Sequence, residues 1–290
     1  MPRNQNLKAF SLVELLLALV LSAVVFALLL QFYLSSQKFA RTADQIIQAQ
    51  ENLRAISVIL NHHLSMAGYA GCMGLKNLEL HNHTTFDFTP YNRVHGFTKS
   101  SAPTYLKGKM LAGTEALVIQ HSGEDGTILL GDVSVGADNF RVKSNPATRD
   151  NKILLIDDCV NADLFTAASE IGNRISLKDG LLAHAYVAHA LTTEISRFSE
   201  LAYFIGANEE EGSSLYVILN QSGDKQELIS DITDMQIIYG VDENDRGKVT
   251  AYYTTQQMQE SRWAQVIAVA ITLKYKNKAW KIYVALPKVA

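Results

Sequence analysis

Proline, cysteine and an excess of positive charge are all scarce in this sequence of 290 residues. Five prolines and 17 glycines exclude a fibrous or low-complexity chain. A formal net charge of -3 excludes a global basic field that would attract nucleic acid, although the composition leaves a local basic patch open. With 48% hydrophobic and 19% charged residues, the composition suits a globular protein with one membrane segment.

Sequence elements of the common enzyme classes are also missing. There is no Gly-x-Ser-x-Gly element, no phosphate-binding loop and no dinucleotide-binding fingerprint. The segment from Asp242 to Gly247 faintly resembles a calcium loop, but Arg246 occupies a ligand position and no glutamate follows at the required distance. A solvated turn is the better interpretation of that segment. We therefore predict no enzymatic activity and no cofactor.

Eight histidines raise the question of a metal site. His81 and His83 could present two imidazoles on one face of a strand, whereas His184 and His189 follow no ligand pattern. No matching set of cysteines or carboxylates accompanies them. We therefore predict no metal site.

The two cysteines, Cys72 and Cys159, allow two interpretations. In a reducing compartment they would be ordinary free thiols, and in an oxidising compartment they would form one disulfide. The location of the domain decides between these states, and the N-terminal region bears on that location.

The N-terminal region combines a short polar, basic stretch with a long apolar run. Residues 1–9 include Arg3 and Lys8, and from Leu15 to Leu30 only Ser22 is polar. About 20 apolar residues span a bilayer core of roughly 30 Å. An ordinary signal peptide has a shorter apolar core followed by a small-residue cleavage site, so a retained anchor fits better. We predict one transmembrane segment at about 12–34, with a cytoplasmic N-terminus.

The junction Lys8-Ala9-Phe10-Ser11-Leu12-Val13-Glu14 resembles the type IV prepilin signature. The resemblance implies that residues 1–9 are a leader, which a prepilin peptidase removes on the cytoplasmic side, between Ala9 and Phe10. It also implies N-methylation of the new N-terminus at Phe10. The family usually has glycine before the cut, and Ala9 keeps a small side chain there.

Glu14 is an acidic residue at the start of the apolar run. A carboxylate there costs roughly 2.5–3.5 kcal/mol on insertion scales. One interpretation is a charge near the interface that the helix dipole favours. The other is pairing with a cation inside a helix bundle, and the resemblance implies that this cation is the Phe10 amine of a neighbouring subunit. Cleavage, exposure of the amine and docking on Glu14 would then form one assembly mechanism.

After Leu34 the chain becomes amphipathic with a helical period, and Gly68 is a reasonable end signal. A single helix over residues 10–66 would be about 85 Å long. From Gly68 onward the pattern is mostly typical of strands. Strands are predicted at 116–121, 127–130, 152–156, 201–205, 214–219, 235–239, 266–275 and 280–286.

These patterns predict an α+β fold, with a long N-terminal helix, transmembrane in its first half, packed on a mainly antiparallel β-sheet domain of the type IV pilin kind. The predicted divisions are a leader at 1–9, the helix at 10–66 and a β-rich globular domain at 67–290.

Several stretches beyond the leader resemble the PilW-like minor pilin family. They keep one order along the chain and include Met66–Cys72, Gly113–Leu117, Asp157–Phe165, Tyr203–Gly206, Asp234–Asp242 and Trp263–Val266. The resemblance places the two cysteines where the family has them. With a periplasmic location, it implies a Cys72–Cys159 disulfide, worth roughly 4–5 kcal/mol by the chain-entropy model.

The resemblance also implies partners and a location. The protein would sit in a bacterial inner membrane as a single-pass protein, with its globular domain in the periplasm, and later in a pilus filament at the cell surface. Its partners would be a prepilin peptidase, other minor pilins, the major pilin, the inner-membrane assembly platform and, before assembly, membrane lipid. The expected role is to initiate pilus assembly, with a position at the tip.

Two other functions remain open on the sequence. A J-like minor pseudopilin of a type II secretion system would share the leader and the general fold. A tip adhesin or DNA-uptake module would need a binding surface, and the basic residues that could form one are scattered. They are Lys107, Lys109, Arg141, Lys143 and Arg149.

Overall fold

The computed structural model describes residues 12–85, 88, 94–148, 151–168, 172–188, 192–209, 212–275 and 278–287. The chain divides into two compact units, Met1–Arg54 and Ala55–Ala290. Among the described residues the structure combines one long N-terminal helix with mainly antiparallel sheets, so the α+β prediction is confirmed.

The long helix, α1, runs from Leu12 to Ser65. In the first unit, its residues 12–34 contain neither proline nor glycine, and their large apolar side chains are all exposed. Straight-chain and apolar residues without a breaker favour an uninterrupted helix.

The last turns of α1 belong to the second unit. Ile56, Leu60 and Leu64 recur every four residues on one helix face, and all three are buried. The helix ends at Ser65, one residue before the predicted end, and Gly68 follows with a φ of 78°. A glycine in this left-handed region is a common way to leave a helix, so the end signal in the sequence is confirmed.

The second unit contains sixteen described strands and one short helix. The strands are β1 (Tyr69–Ala70), β2 (Met73–Gly74), β3 (Glu79–Asn82), β4 (Val94–Thr98), β5 (Glu115–Thr127), β6 (Asn139–Arg141), β7 (Ile153–Asp157), β8 (Asn161–Thr166), β9 (Arg174–Ser176), β10 (Glu194–Ala207), β11 (Ser213–Leu219), β12 (Gln226–Ser230), β13 (Ile232–Val241), β14 (Ala251–Thr254), β15 (Val266–Tyr275) and β16 (Lys278–Ala285). The short helix α2 is Thr104–Lys107, and 3-10 turns lie at Leu75–Asn77, Thr255–Gln257 and Glu260–Gln265.

An eight-stranded sheet forms the larger part of the second unit. Its path is β12-β11-β10-β7-β8-β3, and β5 pairs with both β10 and β4. All pairs are antiparallel except β3 with β8. The residues of β10 are almost all buried, which explains its nearly continuous apolar run at 201–205.

A four-stranded antiparallel sheet, in the order β14-β13-β15-β16, forms the second layer. Glu115 at the start of β5 joins the two sheets, because its Oε2 accepts a 2.5 Å hydrogen bond from the Ile237 N–H of β13. The indole N–H of Trp280 in β16 donates to Ser57 Oγ at 3.0 Å, which ties the end of α1 to this sheet.

The strand predictions succeed best for the most apolar segments. The strand at 266–275 has the predicted bounds, and those near β7, β11, β13 and β16 differ by a few residues. The separate strand predicted at 127–130 is wrong, because β5 continues to Thr127 and Leu129 only bridges to Val142. Short, partly exposed strands such as β3, β12 and β14 were not predicted, since they lack a sustained apolar alternation.

Candidate assembly site and neighbouring polar centres

Glu14 lies in the first turn of α1 and is exposed to solvent. The free N–H groups at a helix N-terminus carry a partial positive charge, so a carboxylate is electrostatically favoured there. The other two residues predicted for processing and assembly, Ala9 and Phe10, lie outside the described residues. Their proximity to Glu14 therefore remains a prediction.

The helix around Glu14 presents apolar side chains on every side. An 18-residue window of α1 has a mean hydropathy of 2.8, and none of it is buried. In the described part of the chain this is one helix long and apolar enough to cross a membrane. A helix that is apolar all round requires either lipid or other helices around it. It therefore fits a single-pass membrane anchor.

Cys72 and Cys159 form a disulfide, with their Cα atoms 5.5 Å apart and a sequence separation of 87 positions. Cys72 lies between β1 and β2, and Cys159 lies in the turn between β7 and β8. The bridge thus ties the segment after α1 to the large sheet. These are the two cysteines of the sequence, so the disulfide prediction is confirmed.

A polar centre that the sequence reasoning missed surrounds Asp163 in β8. The Asp163 side chain is fully buried, and Oδ1 accepts from His83 Nε2 at 2.5 Å and from the Ala183 N–H at 2.9 Å. Its Oδ2 accepts from Tyr186 Oη at 2.8 Å and contacts His184 Nδ1 at 3.1 Å. Burial alone would raise the pKa of Asp163, but these hydrogen bonds outweigh it and hold the pKa below its usual value.

The contacts of Asp163 indicate a structural role. The parallel pairing of β3 with β8 places His81 opposite Asp163, and His83 follows two residues later in the chain. The segment at 180–186 places His184 next to the same carboxylate. Among the described residues, no group of three or more His, Cys, Asp or Glu side chains is arranged to hold a metal ion. His189 lies outside the described residues. The sequence signal for this centre was an aspartate inside the apolar segment 161–166, because a buried carboxylate requires hydrogen-bond donors around it.

A pocket of about 440 Å³ lies where β4 meets the 3-10 turns at 255–257 and 260–265. His95 stacks on Trp263 there, with ring centroids 4.3 Å apart. Burial lowers the pKa of His95 to about 4, so its imidazole is neutral at neutral pH. A neutral histidine on an indole does not by itself provide a catalytic constellation.

The Asp242 loop is a compact turn. One carboxylate oxygen of Asp242 accepts from the N–H groups of Asn244 and Arg246, and the other accepts from that of Gly247. Hydrogen bonds of a carboxylate to following N–H groups are typical of Asx-type turns. The interpretation of this segment as a turn fits this arrangement.

Residues 202–280 match the family model PilW, described as Type IV Pilus-assembly protein W. This match supports a PilW-like type IV pilus protein. The matched segment runs from β10 through β15 into the start of β16, and it includes most of the four-stranded sheet. No curated protein and no solved structure matches the chain. The PilW match supports a role related to type IV pilus assembly and an interaction with other pilus components.

Proposed function

We propose that this PilW-like chain is a minor pilin, processed by a prepilin peptidase between Ala9 and Phe10, that helps to initiate a type IV pilus. The observation that carries the proposal is the position of Glu14, an acidic residue in the first turn of an exposed apolar helix. The prepilin-like junction before it and the PilW match at 202–280 support the same function.

The proposed mechanism follows from the cost of burying a charge. Inserted in a membrane, the Glu14 carboxylate raises the free energy by roughly 2.5–3.5 kcal/mol. Removal of residues 1–9 creates a positively charged amine on Phe10. Pairing that amine with Glu14 of a neighbouring subunit offsets the cost only when subunits are side by side, so the contact favours assembly over dispersal in lipid.

The proposed orientation places the second unit in the periplasm. Arg3 and Lys8 precede the apolar segment, and positive charge favours the cytoplasmic side. The Cys72–Cys159 disulfide supports the same orientation, because disulfides persist in oxidising compartments. The proposed partners are the prepilin peptidase, other minor pilins, the major pilin and the inner-membrane assembly platform, and the proposed final position is the filament tip.

A minor pseudopilin of a type II secretion system is the neighbouring function, because it would use the same leader and Glu14. The PilW match favours the pilus. Deleting the gene would separate the two functions: loss of surface pili with normal protein secretion supports the pilin, and the reverse result supports the pseudopilin.

The processing step is tested by intact mass and N-terminal sequencing of the full chain, expressed with and without a prepilin peptidase. We expect loss of residues 1–9 and methylation of Phe10 only with the peptidase. Ala9→Gly serves as a matched variant that restores the usual residue before the cut, and it should be cleaved at least as fast. If both the wild type and Ala9→Gly keep residues 1–9 with an active peptidase, the proposed processing is wrong.

A further inference from the structure

Asp157, the last residue of β7, contacts both halves of the disulfide. Its side chain is fully buried, and Oδ1 lies 3.9 Å from Cys72 Sγ. A Cβ on Gly71 would lie 2.8 Å from the same oxygen, so the carboxyl group packs directly on the residue before Cys72. On its other side, the backbone N–H of Cys159 donates a hydrogen bond to the carboxyl group.

The carboxyl group of Asp157 has too few donors for a buried anion. Within the described residues its Oδ2 accepts no hydrogen bond. In the described part of the chain, the titratable groups that interact with it are Glu194, which is paired with Asp157 in the β10–β7 register, together with Asp158, Tyr69 and Tyr186. None of these is a cation. A buried carboxylate with one N–H donor and acidic neighbours is therefore more stable as the neutral acid.

The protonation state follows from these contacts. Burial raises the pKa of Asp157 to about 7. The hydrogen bond from the Cys159 N–H opposes this shift, and the charges of Glu194 and Asp158 add to it. Opening the disulfide changes this environment, because Cys72 gains an S–H group close to Oδ1. A thiol is a weak hydrogen-bond donor, whereas a disulfide sulfur has no proton to donate.

We propose that Asp157 is a redox-linked proton site: it holds a proton while the Cys72–Cys159 bridge is closed, and it releases the proton when the bridge is reduced and the Cys72 thiol donates to its carboxylate.

The proposed reaction balances with a dithiol as the reductant. A dithiol thiolate attacks Cys159 Sγ, the bond between the two protein sulfurs breaks, and Cys72 leaves as a thiolate that takes the proton of Asp157. The second thiol of the reductant closes its own disulfide and releases Cys159, which is protonated from solvent. Two electrons pass to the protein disulfide, and the dithiol is oxidised to a cyclic disulfide. The dithiol loses two protons to solvent and Cys159 takes one of them back. Because Cys72 takes its proton from Asp157, the reaction leaves one proton in solvent and an ionised Asp157.

The coupling predicts a specific pH dependence. Exchange between a protein disulfide and dithiothreitol is independent of pH while all thiols are protonated. If reduction also releases a proton, low pH favours the closed bridge. For a tenfold lower proton affinity of Asp157 after reduction, the equilibrium constant for reduction rises about sixfold between pH 5.5 and 7.5.

The first experiment titrates the full chain in detergent micelles with mixtures of reduced and oxidised dithiothreitol, and counts free thiols by alkylation and mass spectrometry. We expect the rise in the wild type and in Asp179→Asn, whose side chain is exposed, and a flat profile in Asp157→Asn. Near-UV circular dichroism at each pH verifies that the reduced chain is folded. A flat wild-type profile, or the same slope in Asp157→Asn, would overturn the proposal.

The second experiment needs no reduction. Cys72→Ser/Cys159→Ala keeps a donor next to Oδ1, and Cys72→Ala/Cys159→Ala removes it. Infrared difference spectra of the Asp157 carbonyl at pH 6.5, assigned with Asp157→Asn, should show an ionised carboxylate with serine and a protonated acid with alanine. Equal protonation in the two folded variants would show that the donor at position 72 does not control Asp157.

Discussion

Gly96 in β4 lies directly against the hydroxyl group of Tyr239 in β13. A Cβ on Gly96 would overlap Tyr239 Oη and would lie 3.1 Å from Thr255 Oγ1. Tyr239 is fully buried, so its ring has little room to move away. This contact lets the eight-stranded and four-stranded sheets approach closely at this point.

Gly96→Ala should therefore destabilise the second unit. Overpacking of a tight core site costs roughly 1–3 kcal/mol, and we expect a loss at the upper end of this range. The measurement is urea unfolding of the full chain in micelles, followed by tryptophan fluorescence. Gly108→Ala is the matched control, because its Cβ would meet nothing within 4 Å and its φ is -75°. A stability loss for Gly96→Ala no larger than for Gly108→Ala would contradict the contact.

The Asp163 centre gives a second prediction. Asp163→Asn replaces one acceptor oxygen by an amide that faces the donors His83, His184 and Tyr186. Breaking a buried charged network by altering one partner costs roughly 3–5 kcal/mol, and we expect a loss of about 3 kcal/mol at pH 7. Exposed Asp179→Asn should change the unfolding free energy by less than about 0.5 kcal/mol.

The pH dependence of this centre has a defined sign. The pKa of Asp163 is lower in the folded state than in the unfolded chain. Its contribution to stability is therefore present above about pH 4 and is lost as the pH falls through the lowered pKa. Urea unfolding at pH 7 and pH 3 should show a smaller difference between the wild type and Asp163→Asn at pH 3. An equal difference in unfolding free energy at both pH values would show that the charge of Asp163 does not contribute to stability.

Asp157 has the opposite sign. Its pKa is raised from 3.8 to about 7 in the folded protein, so stability from the neutral acid is present below about pH 4 and is lost as the pH rises through about 7. A difference of this size corresponds to roughly 4 kcal/mol. Asp157→Asn removes this titration. We therefore expect the unfolding free energy of Asp157→Asn, relative to that of the wild type, to be several kcal/mol higher at pH 8 than at pH 4.

The Asp157 prediction is measured on the oxidised protein by urea unfolding without reductant. Glu194→Gln is a useful companion, because burial also raises the pKa of Glu194 and the same direction is expected. If the wild type and Asp157→Asn lose stability in parallel between pH 4 and pH 8, another group is responsible for the pH dependence.

The sequence predicted what depends on local pattern. The apolar run before Leu34, the end signal at Gly68 and the strand at 266–275 are properties of neighbouring residues, and all three correspond to features of the structure. The disulfide was implied by the family resemblance and the periplasmic location that goes with it, and the two cysteines of the sequence left one possible pairing. These features require no knowledge of how distant segments meet.

The polar centres could not be predicted in the same way. His83 meets Asp163 across 80 residues of sequence, through a parallel pairing of β3 with β8 that no apolar alternation indicated. Asp157 is buried against Cys72 across 85 residues. The sequence did show that both aspartates flank or interrupt apolar strands, and a buried carboxylate needs either donors or a proton. The long-range topology decides whether each aspartate is surrounded by hydrogen-bond donors or is kept protonated.

The last prediction concerns Glu14 and the proposed assembly mechanism. Glu14→Ala removes the carboxylate that the Phe10 amine of a neighbour would meet, and it makes membrane insertion easier by roughly 2.5–3.5 kcal/mol. We therefore expect normal membrane anchoring and normal cleavage, with surface pili reduced at least about tenfold. The measurements are immunoblots of membrane fractions, N-terminal sequencing and counts of pili on cells.

Two further variants separate charge from helix packing at this site. Glu14→Gln keeps the size of the side chain without its charge, and it should reduce piliation as strongly as alanine does, because an amide cannot neutralise the Phe10 amine. Asp44→Ala removes an exposed acidic residue farther along α1 and should leave piliation unchanged. Normal piliation with Glu14→Gln would mean that the shape of the side chain, and not its charge, is what assembly requires. Normal piliation with Glu14→Ala as well would show that subunit contacts elsewhere are sufficient for assembly.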